Sequence, residues 1–356
     1  MKIIYFLLML FLFLYPIKTY AISAESYVVM DYDSKRVLLA KASENEKLIA
    51  STTKIMTCIL ALENGDLESE RTVGEEVLNA FGSAIYLQIG EKMKLKDLLY
   101  GLMLRSGNDA AIEISYHIAG NMNNFVNLMN AKALEIGMNH THFINPHGLE
   151  NDKGDGNTST AYDMALLMQY ALKNETFKEI IHTKNYKTNT LDKVYVWQNK
   201  NKLLSTYEYQ IGGKTGFTKK AKRTLVTASM KDNKTCIVVT LNDGNDFADH
   251  KNACEEVFDN YERVLLLDKD TFIVDEDNPT KYYINENLYA LLKPEEKEKV
   301  KINLNVDNTS KEKIVGKAFV YLDDFLLGET DIFLNNDENK HKENFFVRFW
   351  RWLTNW

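Results

Sequence analysis

Ala50-Ser51-Thr52-Thr53-Lys54-Ile55-Met56-Thr57-Cys58-Ile59-Leu60-Ala61-Leu62 carries apolar side chains at 55, 56, 59, 60 and 62, the recurrence of a helix that buries one face. Ser51 stands at the start of this helix. Lys54 follows three residues on, so it shares a face with Ser51 and can reach its hydroxyl. A serine hydroxyl becomes an effective nucleophile only when a neighbouring base takes its proton. A lysine amine can be that base when burial or another cation lowers its pKa. Amides at the helix start also point towards the hydroxyl, where they can stabilise developing negative charge. The same spacing also arises from a serine N-cap followed by a solvated lysine, so the rest of the chain must decide. A second copy, Ser310-Lys311-Glu312-Lys313, sits in a charged turn between strand-like runs with no apolar helix behind it.

The chain has 356 residues, enough for one large domain and a smaller one. Its net charge of -7 argues against a general nucleic-acid binder, because no basic surplus exists to neutralise phosphates. With only 4 prolines and 17 glycines, no long flexible linker is expected, and no internal repeat is present. The N-terminus reads as a leader: Lys2, an apolar run over residues 3–15, Pro16, and small residues at Thr19-Tyr20-Ala21. The run is short for a transmembrane helix, so a secretory signal peptide over residues 1–21 is a better reading than an uncleaved anchor. Either way the body of the protein is expected to be exported. The cysteines are Cys58, Cys236 and Cys254, an odd count that leaves at least one thiol unpaired. Cys58 and Cys236 lie in apolar runs and read as core residues. No Cys/His cluster has metal-ligand spacing. His140, His142 and His147 fall in a polar loop and read as loop hydrogen-bonders.

The next segments supply the frame. Residues 27–32 and 37–40 flank a polar turn and predict a strand hairpin. Residues 65–180 read as mostly helical, with amphipathic runs at 94–105, 109–119, 125–136 and 162–172, and a break at Asn145-Pro146-His147-Gly148. Strand character returns at 195–197, 225–229 and 236–241, and residues 247–267 read as a helix across the sheet. Strands from both ends thus bracket a helical insert, the arrangement of one sheet with helices on its faces. From residue 268 the runs at 300–306, 316–322 and 330–334 predict a small β domain. In the tail, Phe345, Phe349, Trp352 and Trp356 fall on one helical face, opposite Asn344, Arg348, Arg351 and Asn355, which suits a helix lying in a membrane interface.

Two more short motifs can complete the Ser51 site. Ser106-Gly107-Asn108 ends an apolar helical run and opens onto the next helix, where it can present a hydroxyl and an amide. Lys214-Thr215-Gly216-Phe217 follows Gly212-Gly213, and glycines let a strand edge approach a ligand backbone. Each has a plain structural reading, as a helix stop and a hairpin. Together, the order Ser-x-x-Lys, Ser-x-Asn, Lys-Thr-Gly resembles the serine penicillin-recognising enzymes. Ser106-Gly107-Asn108-Asp109-Ala110, Asn145-Pro146-His147-Gly148-Leu149, Ser159-Thr160-Ala161-Tyr162-Asp163 and Asn199-Lys200-Asn201-Lys202-Leu203-Leu204 narrow the resemblance to the serine D-Ala-D-Ala carboxypeptidases, the low-molecular-mass penicillin-binding proteins. Two departures stand out: Ile49, where the family commonly has proline, and Phe217, where some members have histidine.

The resemblance implies an α/β (α+β) chain, with a transpeptidase/β-lactamase-like domain over 22–267, a small β domain over 268–340 and an amphipathic helix over 341–356. It implies removal of the terminal D-alanine from peptidoglycan stem peptides ending in D-Ala-D-Ala, and acylation by β-lactams, on the outer face of the cytoplasmic membrane. It gives Ser51 as nucleophile and Lys54 as base. Ser106 passes a proton to the leaving amine, and Asn108 binds a substrate amide and steadies Lys54. Lys214 and Thr215 bind the terminal carboxylate beside Gly216, and the amides of Ser51 and Phe217 hold the oxyanion. No metal or organic cofactor is implied. The alternatives are a β-lactamase on the same fold, for which Glu150 is the nearest carboxylate, and a non-catalytic β-lactam-sensing or wall-binding module.

Overall fold

The computed structural model describes residues 22–335 except 192, 308, 310 and 311. The leader over residues 1–21, the tail over 341–356 and the serine of the second Ser-x-x-Lys copy, Ser310, lie outside the described residues. The chain separates into two compact units, residues 22–28, 40–227 and 238–256 in the first, and 29–39, 228–237 and 257–335 in the second.

β1 (Ser26–Asp31) and β2 (Val37–Lys41) form the expected hairpin, closed by Asp31 N–H donating to Arg36 O. β3 (Lys47–Leu48) leads into a single 3₁₀ turn at Ala50–Thr53, and only then does α1 (Lys54–Asn64) begin. The helix therefore starts three residues later than the periodicity alone predicts, and Ser51 sits in the tighter turn before it. Ile55, Met56 and Ile59 of α1 are buried, each contributing about 1.5–3 kcal/mol relative to exposure.

The middle of the chain is helical as predicted. β4 (Glu70–Thr72) pairs antiparallel with β5 (Lys92–Lys94), and α2 (Leu95–Arg105), α3 (Asn108–Ala119) and α4 (Met122–Glu135) follow. β6 (Thr158–Ser159) pairs with β3 and precedes α5 (Ala161–Ala171) and α6 (Glu175–His182). Side chains cap three of these helices: Asn121, Thr160 and Asn174 accept from the amides of Asn124, Asp163 and Phe177. A hairpin of β7 (Asn185–Asn189) and β8 (Val194–Gln198) and the one-turn α7 (Leu203–Thr206) then lead to β9 (Gln210–Thr218), β10 (Lys222–Lys231) and β11 (Lys234–Asp243).

The central sheet has the order β2-β1-β11-β10-β9, so strands from both ends of the sequence meet as expected and β9 lies at an edge. β10 and β11 are buried almost continuously, as apolar strands covered on both faces are. One expectation fails here. α8 spans only Asp246–Asn260, and the residues read as its continuation form β12 (Glu262–Leu267). The run Val264-Leu265-Leu266-Leu267 is compatible with either state by periodicity, and pairing with β14 (Leu288–Leu292) beyond β13 (Tyr282–Ile284) selects the strand.

The second unit closes with β15 (Val300–Val306), β16 (Ile314–Leu322) and β17 (Phe325–Leu334), an antiparallel sheet of order β13-β17-β16-β15. Alternate residues of β16, among them Ala318, Val320 and Leu322, pack into its core with Ile284, Leu327 and Ile332. Within this unit Asp31 accepts from Leu291 N–H, and Arg36 pairs with Glu296. Among the described residues no helix is long and apolar enough to cross a membrane. All three cysteines are buried.

Candidate active site

The 3₁₀ turn that carries Ser51 is fixed from several directions. Ile49 O accepts from the hydroxyls of Thr52 (2.6 Å) and Thr224 (3.1 Å), and Ile49 N–H donates to Asn157 O. No side-chain hydrogen bond caps this turn or α1, so Ser51 is not an N-cap serine. Ala50 holds φ 48° and Ser106 φ 63°, left-handed conformations that are uncommon for side-chain-bearing residues and that cluster at functional sites.

Lys54 is fully buried, and its Nζ lies 3.2 Å from Ser51 Oγ, 2.8 Å from Asn108 Oδ1 and 2.5 Å from His147 O. Asn108 is oriented by donating from Nδ2 to Phe81 O at 2.6 Å. His147 O is presented by the Asn-Pro-His-Gly loop, which is tied to α1 by Thr57 Oγ1 donating to Pro146 O. Gly148, at φ 89°, lets this loop lie against the turn: a Cβ there would stand 1.9 Å from Ala50 O. His147 itself is pushed down to about 3 by burial and then by the Lys54 charge, and its Nδ1 accepts from Leu149 N–H. It is a neutral loop hydrogen-bonder, as expected. Its backbone carbonyl is the group that meets Lys54, and composition gave no signal for that.

Burial, then the charges of Lys214 and Lys200, hold the Lys54 amine well below the ordinary lysine range. Lys214 is also buried and is lowered to about 7 by burial and by Lys200. A neutral Lys54 has two N–H groups and one lone pair. Asn108 Oδ1 and His147 O can only accept, so they take the two N–H groups. The lone pair is then left for the Ser51 hydroxyl, the geometry a general base needs.

The third motif approaches from β9. At Gly216 an added Cβ would stand 3.0 Å from Ser51 N and 2.3 Å from Thr224 Oγ1, so only glycine lets this strand reach the serine turn. Lys214 Nζ donates to Thr215 O at 2.8 Å. Ser106 Oγ is buried without a hydrogen-bond partner among the described residues.

A cleft of about 430 Å³ opens over these groups, lined by Ser51, Ser106, Thr215, Gly216 and Phe217. Lys54, Asn108 and Lys214 lie behind it, buried. Ser83, Lys200, Lys202, Arg223, Asp246 and Phe247 also line it, and sequence reasoning missed their part in the site. Lys200 and Lys202 fall inside a stretch quoted for resemblance alone. The others come from separate segments with no local signal. Two carboxylates nearby are already engaged: Asp246 pairs with Arg223 at 2.9 Å, and Glu150 accepts from the Thr218 hydroxyl.

The family model for D-alanyl-D-alanine carboxypeptidase matches residues 16–245. The chain is 37% identical over 224 residues to D-alanyl-D-alanine carboxypeptidase DacF of Bacillus subtilis, covering 61% of this chain and 57% of that protein. It is 34% identical over 238 residues to the D-alanyl-D-alanine carboxypeptidase of Streptomyces sp. strain K15, covering 62% and 81%. The crystal structure of the Streptomyces K15 DD-transpeptidase superimposes with a TM-score of 0.62 at 31% identity, over 67% of this chain and 98% of that one. Penicillin binding protein 5 from Haemophilus influenzae superimposes at 0.74 over 90% and 99%, and at 24% identity that likeness speaks for the fold alone.

Proposed function

The chain belongs to the D-alanyl-D-alanine carboxypeptidase family, and from that membership we propose that it removes the terminal D-alanine from peptidoglycan stem peptides through an acyl-enzyme on Ser51. The observation that carries this reading is the buried Lys54 Nζ held 3.2 Å from Ser51 Oγ.

Ser51 Oγ attacks the carbonyl carbon of the penultimate D-alanine and its proton passes to Lys54 Nζ. The amides of Ser51 and Phe217 hold the oxyanion. Collapse of the tetrahedral intermediate expels the terminal D-alanine, whose amine takes up that proton from Lys54 through Ser106. Asn108 steadies Lys54, and Lys214 and Thr215 hold the terminal carboxylate. Water then attacks the ester, its proton passes to Lys54, and Lys54 delivers it to Ser51 Oγ as the acyl bond breaks. β-Lactams acylate the same serine. The β-lactamase alternative loses support because Glu150, its candidate carboxylate, is already engaged by Thr218.

This substrate lies outside the cytoplasmic membrane, so the reading carries with it export by the leader over residues 1–21 and attachment to the outer membrane face through residues 341–356. The test is mass spectrometry of the purified protein with penicillin and with a D-Ala-D-Ala pentapeptide. The expected results are a penicillin adduct mapped to Ser51 and release of one D-alanine. An adduct that persists in Ser51→Ala, or no D-alanine release, would refute the reading.

A further inference from the structure

A second groove, of about 240 Å³, adjoins the catalytic cleft. Lys202 lines both. The groove is also lined by Lys184, Gln198, Asn199, Asn201 and Ser205, and no carboxylate lines it. Among the described residues neither Lys184 nor Lys202 forms an ion pair.

At its floor Asn201 is only 3% exposed. Its Oδ1 accepts from Leu203 N–H at 3.1 Å, and its own N–H donates to Asn199 Oδ1 at 2.9 Å. These bonds fix the orientation of the amide, because rotating it would place an NH₂ against the Leu203 donor. The remaining end, Nδ2, is buried with no partner among the described residues. A buried donor left unpaired is costly, and such a donor beside two lysines free of carboxylates fits an acceptor-only, negatively charged group.

We propose that this groove is a carboxylate subsite, which binds an acidic branch of the same peptide whose D-Ala-D-Ala end occupies the Ser51 cleft. At about 240 Å³ the groove suits a carboxylate-bearing side chain. A carboxylate has two oxygens, so it can accept from Asn201 Nδ2 and from a lysine ammonium together. Continuity through Lys202 makes the occupant part of the bound substrate. The proposal rests on the reading of the cleft as a peptide site.

Binding, not turnover, tests it. Two synthetic pentapeptides ending in D-Ala-D-Ala, one with its acidic branch as free carboxylate and one with it as carboxamide, are titrated calorimetrically into the Ser51→Ala protein. The carboxylate peptide should bind about fivefold or more tightly, in the range of a charge-assisted hydrogen bond. Asn201→Asp keeps the acceptor for Leu203 N–H but removes the donor and adds a negative charge, and Lys184→Gln removes an exposed cation. In each, the preference should fall to within about twofold. Equal affinity in the parent, no binding of either peptide, or an unchanged preference in both variants overturns the subsite. A carboxylate preference without D-alanine release by the wild type sustains the subsite and refutes the proposed reaction.

Discussion

Lys54 is the residue on which the chemistry turns. It is a cation by composition, and burial together with two other lysines makes its charge costly, which suits it to the proposed role of base. Lys54→Ala should slow penicillin acylation by roughly 100- to 10,000-fold, the usual weight of a general base, with the fold retained as judged by circular dichroism. A rate within a few-fold of wild type would make Lys54 structural. In the proposed reaction Lys214 should set a pH limit. Its amine is held at about 7 in the free protein, so it loses its charge, and its attraction for a carboxylate, as pH rises past that value. The kcat/KM for a D-Ala-D-Ala peptide should therefore fall above about pH 7. The bound carboxylate favours the charged lysine, so the fall in kcat should come at higher pH. Lys214→Arg should abolish the falling limb, since a guanidinium stays charged. An identical limb in that variant would assign it to another group.

At the scale of elements, the site is three backbone segments brought within a few ångströms: the 3₁₀ turn at Ala50–Thr53, the Asn-Pro-His-Gly loop and the edge strand β9. Glycines sit where they meet. Gly216→Ala would set a methyl group 3.0 Å from Ser51 N and 2.3 Å from Thr224 Oγ1. It should depress acylation at least about tenfold, since small displacements of a reacting group are costly, while a thermal melt stays within a few degrees. Acylation at the wild-type rate would show that β9 does not limit access to the serine. Gly148→Ala should instead cost stability, about 2–4 kcal/mol by chemical denaturation, because it combines a left-handed φ with a clash against Ala50 O. The one mistaken element, the strand Glu262–Leu267 read as helix, is of the same kind: its local pattern fits two states, and its partner Leu288–Leu292 lies more than twenty residues on.

At the scale of the molecule, the prediction concerns attachment. Residues 341–356 would have to carry Asn344, Arg348, Arg351 and Asn355 into hydrocarbon if they spanned a bilayer, and the segment is short for the ~30 Å required. A helix over these residues, lying flat, would bury its aromatic face and offer both arginines to anionic headgroups. Mature protein should co-sediment with anionic vesicles in a salt-sensitive manner, and protein lacking residues 341–356 should not. Equal binding by both forms would refute the tether. Activity on a soluble pentapeptide should not change with the deletion.

Spacing and motif order along the chain identify the candidate groups of the site. Helical periodicity placed Ser51 and Lys54 on one face, since three residues along a helix or a 3₁₀ turn bring side chains together. The order of the three short motifs marked the remaining candidates, and the apolar strands at both ends predicted a shared sheet. The surroundings of Lys54 came from the fold. Asn108 and the His147 carbonyl fix where its amine lies, and burial with Lys200 and Lys214 makes its charge costly. Ser83, Arg223 and Asp246 likewise join the cleft from distant segments. Local pattern records which face of an element is buried. It does not record which distant carbonyl or ammonium will share that burial, because desolvation and Coulomb forces act through space and not along the chain.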